Sequence, residues 1–341
     1  FIDWLVDDPT TKVIALYLEG LRQPKAFQAA VLRAQASGKP VVAFKVGRSE
    51  AGIRSAVSHT GAMAGSDAAY DAMFRQFGVI RAGRYSDLLD MPLALSRGRA
   101  LKGNRLAIIT STGGSASLLA DSAGTVGLET PPPDETTAEK LKALAIEGAT
   151  LDRNPIDVTL AGVKAETFRA VLRAVAASPA YDAVAVVLGS SALREPAAGA
   201  PLRECVAASD KPIVGFISPD APQLLRALNL DGVPTFAAPE SCAAALAALR
   251  LVAETKRIDA ADTPIAATIG DGVMPLLRQG ALNEADSKGL FTRFGIPVTR
   301  EVVAAYRELL DRIHAEGLRT NVALKLTHLG LSIDEGRAQR N

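Results

Sequence analysis

Short apolar runs that end in glycine alternate with helical stretches along most of this 341-residue sequence. The runs KVIALYLEG at 12–20 and PVVAFKVG at 40–47 predict buried strands, and QPKAFQAAVLRAQAS at 23–37 predicts the helix between them. A strand, a helix and a second strand in this order form a βαβ unit, which requires parallel strands. The alternation therefore predicts an α/β fold built on parallel sheets.

The alternation falls into two series, and the second begins near residue 105. The segment RLAIITSTGGSASLLADSAGTVGLET at 105–130 combines a strand, a glycine-rich turn and a helix, and further strands are predicted at 183–191 and 211–218. Because domains usually hold about 150 residues, a chain of this length is expected to contain two or three. We expect a flavodoxin-like domain at 1–99, a second at 104–255, a linker at 256–282 and a short C-terminal segment at 283–341.

The charge balance and the cysteines exclude several classes of protein. The chain has 38 Lys and Arg against 37 Asp and Glu, so no overall field favours nucleic acid or an acidic membrane surface. No apolar run approaches the ~18 residues of a membrane span, and we do not expect a signal peptide before the first domain. Cys205 and Cys242 lie far apart, as is typical of buried thiols in a reducing compartment. These features predict a cytoplasmic protein that binds neither nucleic acid nor membrane.

The glycine-rich turn after the strand at 105–110 is the first candidate site. Ser111, Thr112, Gly113, Gly114 and Ser115 occupy the predicted start of a helix. Backbone N–H groups point outward there, and the helix end carries roughly half a positive charge, which favours anions. An isolated pair of glycines is more often only a tight turn, although ligands of open α/β sheets gather at the carboxyl ends of the strands.

The second candidate is His59, in the stretch SHTGAMAGSD, where small residues and glycines lead into a predicted helix. A lone histidine is most often structural, and no metal site is expected because His314 and His328 are distant. A Ser-His-Asp hydrolase would need the G-x-S-x-G motif, which is absent from the sequence. The remaining interpretation is a histidine that acts as a covalent carrier and is oriented by a carboxylate. Glu19, at the end of its strand, is the nearest candidate, unless it is only a solvated acid.

Taken in order, the segments KVIALYLEG, KPVVAFKVGRSEAG, SHTGAMAGSD, RLAIITSTGGSASLLADSAGTVGLE and FTRFGIPV resemble the NDP-forming acyl-CoA synthetases. This superfamily includes succinyl-CoA synthetase and the ADP-forming acetyl-CoA synthetases. The resemblance implies that acyl-CoA is formed from a carboxylic acid, CoA and ATP through an acyl phosphate and a phosphohistidine, with ADP and Mg²⁺ also bound. It implies that His59 carries the phosphate, that Glu19 orients it, and that Ser111–Ser115 is one of two helix starts that hold the phosphate.

The sequence departs from the single-chain members of this superfamily at its start. They carry an N-terminal CoA-binding domain, followed by a first strand and a phosphate-binding helix, which are not recognised here. We therefore expect the first domain to be incomplete, with an exposed sheet edge or apolar patch. We also expect this portion alone to be inactive, because the CoA-binding and ATP-grasp domains would have to complement it.

The C-terminal segment has two interpretations. The stretch FGIPVTREVVAA resembles the entry to an ATP-grasp domain, whereas residues 306–341 resemble a segment of proline dehydrogenase. We favour a foreign or fused tail, and the alternative is a divergent ATP-grasp strand in which Lys325 contacts the nucleotide. The rival function is a non-catalytic module that senses acyl-CoA or nucleotide, and the presence of both His59 and Glu19 argues against it. Neither the acyl group nor a homo-oligomer can be read from the sequence.

Overall fold

The computed structural model describes residues 1–54, 66–97, 99–189, 199–255, 284–293 and 296–298. The chain divides into two compact units, Phe1–Ala261 and Asp262–Asn341. Both sheets belong to the first unit. The described part of the second unit contains the helix Glu284–Arg293, whereas the tail at 306–341, with Lys325, lies outside the described residues.

The first sheet has the strand order β1-β2-β3, and all its pairings are parallel. Its elements are α1 (Ile2–Asp7), β1 (Ile14–Leu18), α2 (Pro24–Ala36), β2 (Val41–Lys45), α3 (Asp67–Gln76), β3 (Ile80–Arg81) and α4 (Tyr85–Leu95). In the described part of the chain β1 pairs with β2 alone, so it forms a sheet edge. The aromatic side chains of Tyr17 on this edge strand and of Tyr85 on α4 are both more than half exposed.

The second sheet has the order β5-β4-β6-β7-β8 and is also parallel throughout. Its elements are β4 (Leu106–Thr110), α5 (Gly113–Thr125), α6 (Glu135–Lys142), β5 (Ile156–Asp157), α7 (Ala165–Ala177), β6 (Ala183–Leu188), α8 (Gly199–Ala208), β7 (Ile213–Ile217), α9 (Pro222–Leu230), β8 (Thr235–Phe236) and α10 (Pro239–Thr255). Every residue of β4, β6 and β7 is buried, as expected for parallel strands that are covered on both faces. The strand order reverses between β4 and β6, where doubly wound sheets bind their ligands.

Helices α4, α5 and α10 form a shared layer between the two sheets. One continuous core cluster joins Val42 and Ile80 of the first sheet to Leu106 and Phe216 of the second, with Leu246 of α10 among them. Helices α2 and α3 cover the opposite face of the first sheet, and α6, α7 and α8 cover that of the second. The predicted boundary at 99–104 therefore does not coincide with a break in the packing.

Among the residues that the structure describes, none of the helices combines the length and apolar character that crossing a membrane requires.

Candidate functional site

The carboxyl ends of three strands meet at the start of α5. Gly189, which follows β6, lies so close to Thr112 that a Cβ atom there would clash with the threonine Oγ1. Ser218, which follows β7, shares a hydrogen bond of 2.9 Å between its Oγ and the Oγ of Ser115. The predicted residues at 111–115 are thereby fixed beside the point where the strand order reverses.

The start of α5 is exposed and its backbone donors are free of a side-chain cap. Thr112 is the N-cap residue, but its side chain accepts no capping hydrogen bond; its own N–H donates to Thr110 Oγ1 over 2.8 Å. Gly113 and Gly114 are exposed, and a Cβ atom added to either would meet nothing within 4 Å. The first N–H groups of a helix have no acceptor within it, so they are available to an anion here.

Glu19 directly follows β1, at the carboxyl end of the first sheet, and is half-buried. Its charge interacts favourably with that of Lys45, the last residue of β2. Glu19 therefore occupies the predicted strand end. The contacts within the described residues do not join it to Ser111–Ser115.

Lys45 is a functional candidate that the sequence argument missed. Its side chain is only 1% exposed, its ammonium donates to the carbonyl of Val46, and it lies 4.8 Å from the centre of the Tyr70 ring. Burial lowers the pKa of Lys45, and the charge of Asp67 acts in the opposite direction. The sequence did contain a signal for this residue, since a lysine ends the otherwise apolar run VVAFK. Lysine is seldom fully buried, and buried ionisable groups are frequent at functional sites.

His59 lies in the segment 55–65, outside the described residues, but the residues that flank this segment are described. Arg48 precedes it and Asp67 follows it, and their side chains approach to 3.8 Å. Asp67 also accepts from Arg81 over 2.5 Å, and Arg81 in turn donates to Asp71 over 3.0 Å. Arg81 is largely buried, so this network anchors the start of α3, the helix that directly follows the His59 segment.

The chain is similar to a known domain family and to several acid–CoA ligases. Residues 1–95 match the family described as the succinyl-CoA ligase like flavodoxin domain. The chain is 34% identical over 267 residues to the alpha subunit of an ADP-forming acetate–CoA ligase (II) of Pyrococcus furiosus, a match that covers 75% of this chain and 56% of the relative. It is 39% identical over 175 residues to a trans-feruloyl-CoA synthase from an unknown prokaryote, which covers 51% of this chain and 25% of that protein.

These comparisons support an NDP-forming acyl-CoA synthetase of the succinyl-CoA ligase-like superfamily. A solved structure of this superfamily, a "dinucleotide forming Acetyl-coenzyme A synthetase 1" of Ca. Korarchaeum cryptofilum in complex with phosphate and ADP, matches with a TM-score of 0.66 and 28% identity. That match covers 75% of this chain and 56% of the other. The chain thus spans about half the length of the ligase alpha subunit and of this solved structure, and a quarter of the feruloyl-CoA synthase. The predicted family and the predicted pair of parallel, flavodoxin-like sheets are confirmed.

Proposed function

We propose that the carboxyl edges of the two sheets form the phosphoryl-transfer site of an ADP-forming acyl-CoA synthetase. The observation that carries this proposal is the match to the acetate–CoA ligase alpha subunit over three-quarters of the chain, a length too great to be confined to one sheet. The uncapped, open start of α5 supports it, because a phosphate bound there would accept backbone N–H groups directly.

We assign the carrier role to His59. A neutral ring nitrogen attacks the phosphorus of an acyl phosphate, the carboxylate leaves, and the phosphohistidine then passes its phosphoryl group to ADP to give ATP. In the synthetic direction the same steps run backward, and CoA displaces phosphate from the acyl phosphate to give acyl-CoA. Glu19 supplies the carboxylate that orients the imidazole and stabilises its cationic, phosphorylated form. The N–H groups at Ser111–Ser115 hold the phosphoryl oxygens.

Lys45 adds a fixed positive charge at the same edge as Glu19. The charges of Lys45 and Glu19 attract each other, and burial of Lys45 reduces the screening of this attraction by water. In this proposal Lys45 positions Glu19 electrostatically and does not itself take part in phosphoryl transfer.

The substrates are CoA, a carboxylic acid and the nucleotide pair ATP and ADP, with Mg²⁺ accompanying the nucleotide. In this proposal, CoA-binding and ATP-grasp domains that lie outside the matched region complement this chain, as the resemblance to the superfamily implies. Since the relatives include both an acetate ligase and a feruloyl-CoA synthase, the acid is to be found by testing acetate and ferulate side by side.

The decisive experiment is phosphorylation of the chain by phosphoramidate, a small phosphoryl donor that needs no nucleotide-binding domain. We expect an acid-labile, alkali-stable phosphate on His59, absent from His59→Ala and retained in the matched control His314→Ala. Glu19→Gln keeps the shape of the side chain but removes its charge, so phosphorylation should slow on the order of 10²–10⁴-fold. Phosphate on another residue, or equal labelling of His59→Ala, would contradict the assignment and favour a non-catalytic sensor.

A second experiment tests the whole reaction. When the chain is combined with the CoA-binding and nucleotide-binding portions of the enzyme, incubation with acyl-CoA and phosphate should label His59, and addition of ADP should release ATP. Formation of acyl-CoA at an unchanged rate in His59→Ala would show that no histidine carrier is needed.

A further inference from the structure

A cavity of about 210 Å³ lies at the amino ends of β7 and β8, on the opposite edge of the second sheet from the start of α5. The five residues of β7 alone separate the two edges by about 16 Å, at ~3.3 Å per residue. Part of the cavity wall is apolar and is formed by side chains such as Val214 and Leu249. The cavity is therefore distinct from the phosphoryl-transfer site proposed above.

The charged side chains around this cavity are three arginines and one aspartate: Arg97, Arg99, Arg203 and Asp231. Their formal charges leave an excess of two positive charges. Guanidinium groups recognise phosphate through paired N–H donors more effectively than ammonium groups do. The excess positive charge suits an anionic group, and the apolar part of the cavity wall suits an organic group attached to it.

Each of the three guanidinium groups is fixed by a hydrogen bond that one of its terminal nitrogens donates. Arg97 Nη2 donates to the carbonyl of Asn229 over 3.0 Å, and Arg99 Nη1 donates to the carbonyl of Val206. Arg203 Nη1 bonds to Asp231 Oδ2 over 2.9 Å. Since a guanidinium has five N–H donors, these contacts fix the group and leave further donors for a ligand.

The contacts of Arg97 and Arg99 also cap the carboxyl ends of α9 and α8, a common role of arginine. Capping explains the hydrogen bonds of Arg97 and Arg99, but it does not require a cavity of this size. It also does not account for Arg203, because the described partner of Arg203 is the carboxylate of Asp231. We propose that this cavity is a second anion site, which binds a small organic phosphate and is separate from the catalytic edge.

The test uses calorimetric titration of the 341-residue chain with inorganic pyrophosphate and with AMP, and adenosine serves as the uncharged comparison. We expect both anions to bind and adenosine to bind far more weakly. Arg203→Gln should weaken pyrophosphate about tenfold or more, because a charge-assisted hydrogen bond is lost. Arg203→Lys, which keeps the charge but not the fork, should recover part of that loss.

Two controls separate this site from others. Arg169→Gln removes an arginine that bonds to Glu204 over 2.7 Å, also between helices, but outside the cavity, and should leave binding unchanged. Gly113→Asp puts a negative charge into the open space at the start of α5 and should abolish phosphate binding there alone.

Three results would overturn the proposal. They are the absence of pyrophosphate binding, an equal loss in Arg169→Gln, and a loss confined to Gly113→Asp, which would place all binding at the catalytic edge. The Arg203→Gln variant is expected to fold, because the ion pair between Arg203 and Asp231 is half-exposed and contributes little to stability.

Discussion

Lys45 carries a charge into the interior of the first sheet, where the Val46 carbonyl and the face of Tyr70 are its described neighbours. The favourable charges of Asp67 and Glu19 act at longer range, and burial lowers the pKa of the ammonium. Taking a charge out of water costs free energy that one carbonyl and one ring only partly offset. Lys45 is thus a residue at which stability is sacrificed, as is typical of functional sites.

We therefore expect Lys45→Met to unfold at the same urea concentration as the wild type or at a higher one. Because the folded pKa lies below the unfolded one, the wild type gains stability as the pH rises toward 10.5, so the advantage of the variant should shrink. Urea unfolding at pH 7 and pH 9.5 measures this difference. Lys39→Met is the matched control and should destabilise, since Lys39 donates to the carbonyls of Leu5, Val6 and Asp8 at the end of α1. Equal destabilisation by both variants would contradict the prediction.

At the scale of the element, α6 is a short helix that depends on the residue before it. Asp134 accepts the backbone N–H of Thr137 over 3.0 Å and its hydroxyl over 2.6 Å. The same carboxylate accepts the hydroxyl of Ser178, which follows α7, over 2.5 Å. These hydrogen bonds lower the pKa of Asp134 to about 2. A single carboxylate therefore starts α6 and joins it to α7.

Asp134→Asn should lower the stability of the chain at neutral pH, because the amide keeps the shape but loses the charge that strengthens all three hydrogen bonds. A carboxyl group with a lowered folded pKa stabilises above its unfolded value of 3.8, and the effect is lost as the pH falls toward 2. Thermal unfolding of both proteins from pH 7 down to pH 2.5 should therefore converge at the acid end. Asp121→Asn, on the exposed face of α5, should change little across this range. A constant gap down to pH 2.5 would show that the charge is not responsible.

The long elements of this fold could be predicted from the sequence, and so could the short strand β3, which was predicted at 79–83 and is found at Ile80–Arg81. The strand β2 was predicted at 40–47 and is found at Val41–Lys45, and α2 was predicted at 23–37 and is found at Pro24–Ala36. The two-residue strands β5 and β8 were missed because pairing with a neighbouring strand, not local periodicity, defines them. The candidate site could be predicted in part. Glu19 and the turn at 111–115 follow strands that the sequence pattern predicts, whereas Lys45 became a candidate only because the structure shows that it is buried.

At the scale of the whole molecule, the shared layer of α4, α5 and α10 decides how the two sheets respond to stress. Leu246 of α10 is fully buried in the cluster that includes residues of both sheets. Separation of the sheets would expose this cluster to water, at ~25 cal/mol for each Å² of apolar surface. We infer that the two sheets unfold as one cooperative unit, although the sequence pattern divides them.

Leu246→Ala tests this coupling, and it should cost roughly 2–5 kcal/mol of unfolding free energy, as expected for a buried leucine that leaves a cavity. Hydrogen exchange at the backbone amides of β2 and of β6, measured along the urea titration, reports on the first and the second sheet separately. If the sheets are coupled, urea unfolding followed by both signals should shift together. Leu251→Ala, on the same helix but at a 37% exposed position, should shift neither signal by more than ~1 kcal/mol. A β2 signal that stays at its wild-type midpoint while the β6 signal shifts would show that the first sheet unfolds on its own.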